Sequence, residues 1–166
     1  MITDAASSCP EVRLADPADR AAARTLAQAG IVPADLVTFY DTIGDVTWAD
    51  VGNGYFVDSA GDVLPRFKQY GAVDVSTDRK ADGLVIGSDG GGLSYVVSPG
   101  GVIYRTRTAS LDEPELDRVA DDLRQFLELL ERSLTRFVAN GEPGPVPAPP
   151  CRARRSAPGS RPRRPR

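Results

Sequence analysis

Histidine is absent from the 166 residues, and cysteine (two), methionine (one) and tryptophan (one) are scarce. Without imidazole the chain has no ordinary proton shuttle near neutral pH, no Ser–His or Cys–His nucleophilic pair, and none of the imidazole ligands usual in zinc and iron sites. Carboxylate chemistry is left open. Cys9 and Cys151 stand too far apart for a CxxC redox or metal motif. A disulfide between them would staple two tails instead of closing a core, so separate surface thiols are expected. No run of about eighteen apolar residues occurs, and residues 1–10 have neither the basic start nor the apolar stretch of a secretory signal. The expected location is cytoplasmic.

What is present is unevenly spread. Residues 1–140 carry 13 basic and 22 acidic side chains, a net −9, whereas residues 141–166 carry 7 basic and 1 acidic, a net +6. The same 26 residues hold eight of the fourteen prolines and only Val146 as a large aliphatic side chain. They have little with which to offset the entropy of ordering, so a disordered Pro/Arg-rich tail is expected over 141–166. A flexible N-terminus over 1–15 and one domain over 16–140 complete the expected organisation.

Local patterns divide that domain. Asp16 can cap a helix, Pro17 suits its first position, and the alanine-rich run to Gly30 predicts a helix over 16–30. A second short helix is predicted over 33–44, ended by Gly44. From Trp48 to Ser110 short apolar clusters alternate with Gly, Asp and Ser, which predicts strands at 54–57, 84–87, 93–97 and 102–105. Their DGGG and SPGG connections are too short for parallel crossovers, so an antiparallel meander is the economical arrangement. SAGD at 59–62 reads as a turn, with 62–67 leading out of it. Leu116, Val119, Leu123, Phe126, Leu127, Leu130 and Leu134 recur at three- and four-residue intervals and predict one long helix over 115–139. The expected fold is α+β: a single domain with a small antiparallel or mixed sheet of about four to six strands, packed against N-terminal helices and a long C-terminal helix.

Three sequence features could carry chemistry. GSDGGG at 87–92 is glycine-rich but matches neither GxGxxG nor a phosphate loop, has no following Lys, and leads into a strand; it reads as a hairpin connection. Asp41, Asp45, Asp50, Asp58 and Asp62 cluster in sequence without the spacing of a calcium loop, and read as solvated turn residues or an acidic patch for a basic partner. Trp48, Tyr55, Phe56, Tyr70, Tyr95 and Tyr104 supply aromatic area for the core or for an interface rim. The candidate protein interface is Asp45, Trp48, Asp50, Asn53, Tyr55, Asp89 and Tyr95. No catalytic residue, metal site, cofactor or small-molecule substrate is expected. A net −9 domain repels phosphate, so nucleic acid or an anionic membrane would be met only weakly and through the tail.

Several phrases in a shared order resemble the SUKH superfamily, the Smi/Knr-type group that includes fungal cell-wall synthesis regulators and bacterial immunity proteins of toxin systems. The matching stretch, about 18–138, contains IVPADLVTFYDTIG, WADVGNGYFV, IGSDGGGLSYVVSPGGVIYR and FLELL. Val32 and Pro33 stand at that group's Leu–Pro position, Gly87, Gly90 and Gly92 at its glycine signature, Tyr95 in the strand after it, and Gly101 at the hairpin before Val102. Val32 departs from the usual Leu. The resemblance implies a non-enzymatic, monomeric domain that binds and neutralises a cognate toxin, often a nuclease, for which an acidic surface would replace the phosphate backbone. Two other readings stand beside it: a regulatory scaffold whose basic tail recruits a second partner, and a carboxylate- or cation-dependent hydrolase.

Overall fold

The computed structural model describes residues 10–49, 54–75 and 82–140, with side chains through 132. The tail, both cysteines, Asp50 and Asn53 lie outside the described residues. In chain order the elements are β1 (Glu11–Leu14), α1 (Pro17–Gln28), α2 (Ala34–Thr42), β2 (Ile43–Trp48), β3 (Tyr55–Val57), α3 (Ala60–Tyr70), β4 (Val73–Asp74), β5 (Asp82–Ser88), β6 (Ser94–Val97), β7 (Ile103–Thr106), β8 (Leu116–Ala120) and α4 (Leu123–Asn140). The α+β class is as expected, but the sheet has eight strands among the described residues and every pairing is antiparallel.

The predicted start of α1 is realised as a capping box. The Asp16 carboxylate accepts from the Asp19 N–H at 2.8 Å, and the Asp19 carboxylate accepts from the Asp16 N–H at 3.1 Å. Four expectations need correction. Residues 11–14, assigned to a flexible terminus, form the edge strand β1 against β2. The second helix stops at Thr42 and the chain continues directly into β2. Gly44 therefore ends no helix; it is the extra residue of a bulge, since Arg13 pairs with Asp45 while Leu14 pairs with Ile43. SAGD opens a helix instead of turning: the Ser59 hydroxyl accepts from the Asp62 N–H at 3.1 Å and donates to the Asp62 carboxylate at 2.8 Å. Finally, the long helix predicted from 115 begins only at Leu123, because 116–120 pairs with β7 as β8. The Asp122 side chain caps it by accepting from the Gln125 N–H at 2.7 Å.

The strand order is β1-β2-β3-β5-β6-β7-β8, with β4 paired to β5 off that path. One edge of β5 thus serves two neighbours: Gly83 faces Val73 of β4, and Gly87 faces Val57 of β3. All four helices contribute to one continuous core against one sheet face, through side chains such as Leu26, Tyr40, Val63 and Phe126 packed on Leu84, Ile86, Val97 and Ile103. The opposite face carries a smaller cluster of strand side chains, Val73, Val75, Val85, Val96, Tyr104 and Leu116. Fully burying each large apolar side chain contributes about 1.5–3 kcal/mol, so the helical layer dominates stability.

Candidate interaction cleft

Sheet register decides which of the predicted interface residues meet. Gly87 of β5 faces Tyr95 of β6, and Tyr95 faces Arg105 of β7. Glycine is required at 87 because an added Cβ would lie 2.2 Å from the Phe56 carbonyl oxygen of β3. That close approach draws β3 in and brings Tyr55 to the same depression as Tyr95. α4 then crosses the sheet and sets the Phe126 ring on Tyr95, with centroids 4.9 Å apart and planes tilted by 59°. Such a ring pair adds about 0.5–1.5 kcal/mol to the area it buries.

The result is a cleft of about 160 Å³ walled by Val119, Phe126, Leu129 and Leu130, with Tyr55, Tyr95 and Arg105 also lining it. Burial, then the neighbouring Tyr55 and Asp89, pushes the Tyr95 phenol up to about 12, so it is a neutral hydroxyl donor at physiological pH. Arg105 has no ion-pair partner among the described residues. The carboxylate facing it in register, Asp117, is taken by Arg107, whose Nε and Nη2 donate to one oxygen at 2.9 and 2.7 Å. The cleft is smaller than the roughly 300–1,000 Å³ usual for small-molecule sites and has room for one large apolar side chain. Tyr and Arg around a pocket of this size are the composition of an interface anchor point.

The remaining predicted residues have other occupations. Asp45 accepts from Arg13 Nε at 2.6 Å, and Arg13 Nη1 also donates to the buried Asp19 at 2.8 Å. Trp48, offered as an interface residue, is 9% exposed and belongs to the core; its backbone pairs with Tyr55. Asp89 holds the glycine turn, accepting from the N–H groups of Gly91 at 2.9 Å and Leu93 at 3.1 Å. Gly90 and Gly92 take positive φ in that turn. Pro33 precedes α2 as its N-cap, Val32 packs partly buried on the core, and a Cβ on Gly101 would lie 3.8 Å from the Pro33 ring. The Val–Pro and hairpin motifs therefore meet in space. Arg105 was missed in the sequence, although its place opposite Tyr95 follows from folding 94–106 as a hairpin.

Three of the clustered aspartates go to separate partners. Asp45 goes to Arg13, Asp58 to Arg66 at 2.7 Å, and Asp62 to Ser59. Among the described residues no three potential metal ligands gather, and no helix is long and apolar enough to cross a membrane. Comparison of the chain with protein-family models and with curated proteins gave no match.

Proposed function

We propose that this chain is a non-catalytic protein-binding domain of immunity type, which occupies a cognate toxin domain and anchors on it through the Tyr55–Tyr95–Arg105 cleft. The observation that carries the reading is Arg105, which has no ion-pair partner among the described residues, beside a protonated phenol at a side-chain-sized pocket. An apolar anchor of the partner fills the cleft, and an acceptor beside it takes the guanidinium. The net −9 of residues 1–140 would steer a basic partner such as a nuclease toward the domain. The resemblance in motif order to immunity proteins adds the biological role, and the separate engagement of Asp45, Asp58 and Asp62 favours binding over hydrolysis.

The test is co-expression with the toxin domain encoded by a neighbouring reading frame, followed by calorimetry on the purified pair. Growth rescue and a stable complex are expected. Arg105→Glu and Tyr55→Ala should each weaken binding by about 30-fold or more, the range of an anchor residue. Absence of a complex refutes the immunity role; unchanged affinity in both variants refutes the cleft as its anchor.

A further inference from the structure

The sheet ends on one side at β1, whose strand neighbour among the described residues is β2. All four of its residues are exposed, and the large apolar side chains of Val12 and Leu14 stand open at 50% and 69% exposure. The Ala15 N–H donates to the Thr42 carbonyl at 3.0 Å, which sets the phase of the backbone that leads into it. Counting back by the strand period of two, Arg13 and Glu11 also turn their N–H and C=O toward β2, while Val12 and Leu14 turn theirs outward. The bulge leaves this alternation intact, because its extra residue, Gly44, lies in β2. We propose that this edge is a homodimer interface, on which two copies of the chain pair antiparallel with Val12 facing Val12 across a two-fold axis.

Backbone and side chains select that register together. Outward-facing groups must meet outward-facing groups, so the two-fold axis falls on a residue of the strand and not between two. An axis at Glu11 sets two carboxylates directly opposite, and one at Arg13 sets two guanidinium groups opposite. Both are non-hydrogen-bonded pairs, where Cα atoms approach to about 4.5 Å and like charges repel. An axis at Leu14 pairs Val12 with Asp16, which is already the cap of α1. An axis at Val12 sets Glu11 opposite Arg13 twice and joins the two valines between them. The Arg13 guanidinium needs no further ordering, since it already donates to Asp19 at 2.8 Å and Asp45 at 2.6 Å. Val12 exchanges both backbone bonds with its copy, each Leu14 N–H reaches the Pro10 carbonyl of the second copy, and Pro10, with no N–H, ends the ladder. The pairing occupies the same edge on both copies and therefore closes at two. A contact so short belongs to the weak, transient class. β2 stands between β1 and β3, the nearest strand of the cleft, so the interface and the cleft use separate strands.

The experiment uses the full chain, kept reduced so that Cys9 and Cys151 form no bridge between copies. Sedimentation equilibrium should show the mass rising from 17.7 kDa toward twice that value as the concentration approaches about 1 mM. Val12→Pro deletes an N–H that points away from β2, so it should keep the far-ultraviolet circular dichroism of the native chain and remain monomeric throughout. Glu11→Arg changes a side chain only, turns both attractive pairs repulsive, and should raise the dimer dissociation constant about tenfold. In a mixture of isotope-enriched and unlabelled chain, an intermolecular nuclear Overhauser contact should join the Glu11 and Arg13 Hα atoms, the close pair of this register. A chain that stays monomeric at about 1 mM, self-association unchanged by Glu11→Arg, or contacts from Glu11 to Glu11 or from Arg13 to Arg13 would each overturn the proposal.

Discussion

Tyr40 provides the sharpest test of how the core is built. Its side chain is fully buried among the helices, and its hydroxyl has no hydrogen-bond partner among the described residues. Burying a hydroxyl without a partner costs about 1–3 kcal/mol by protein mutational measure. Tyr40→Phe removes that cost and leaves a void of roughly 10 Å³, which costs about 0.2 kcal/mol at about 24 cal/mol per Å³. The variant should therefore be more stable by about 1 kcal/mol, a rise in Tm of about 3 °C for a domain of this size. Urea unfolding followed by far-ultraviolet circular dichroism should show a higher midpoint with an unchanged slope. The pH dependence adds an independent readout. Burial raises the Tyr40 phenol above its ordinary value, with Asp58 adding to the effect. A group whose folded pKa is raised contributes stability that is complete below its unfolded pKa of about 10 and is lost as pH rises. Tyr40→Phe should remove this part of the alkaline decline. A loss of about 1 kcal/mol or more at neutral pH would refute the reasoning, because it would mean that the hydroxyl has a partner.

Three further perturbations address the sheet and its attachments. Arg13 holds the Asp19 carboxyl below its ordinary value, so stability from that group is complete above about pH 4 and is lost as pH falls through the folded pKa; Asp19→Asn should weaken the domain by about 1–2 kcal/mol at neutral pH and flatten the acid limb of a stability–pH curve. Gly87→Ala places a Cβ 2.2 Å from the Phe56 carbonyl oxygen and should cost about 2–4 kcal/mol in denaturant unfolding as β3 is pushed away. Phe126→Ala should cost about 3–5 kcal/mol, and alkaline absorbance titration should show the Tyr95 phenol, near 12 in the native chain, falling toward its ordinary value as its cover is removed.

Local chemistry made some elements legible and disguised others. α1 announced both ends through Asp16, Pro17 and Gly30, and the β5–β7 meander through its glycine turns. β2 was hidden because Ile43 follows the helix with no breaker other than Gly44, whose role depends on Arg13 in a strand far away in sequence. α3 was concealed by small polar residues at its start and Pro65 within it, yet Ser59 and Asp62 form a cap that the S-x-x-D spacing could have signalled. Leu116 and Val119 fit a helical period by coincidence; the bulge between Ile103 and Tyr104 of β7 and the facing β8 shifts Val119 onto the core side. The cleft was half legible. Tyr55 and Tyr95 could be nominated as aromatic rim residues, but their meeting depends on β3 crossing to β5 over α3, an order that no local pattern encodes.

The shared edge of β5 also orders assembly in time. Pairings from β5 to β8 close short loops along one continuous stretch, whereas joining Phe56 to Ser88 closes a loop of about thirty residues around α3 and must bear its entropy first. The C-terminal meander is thus the cheaper nucleus, and β1–β3 with α1 and α2 dock onto it across a seam that runs through Gly87. Damage at that seam should leave the folding rate nearly intact and be felt as faster unfolding, so the half of the sheet that carries Tyr55 is the half most readily released.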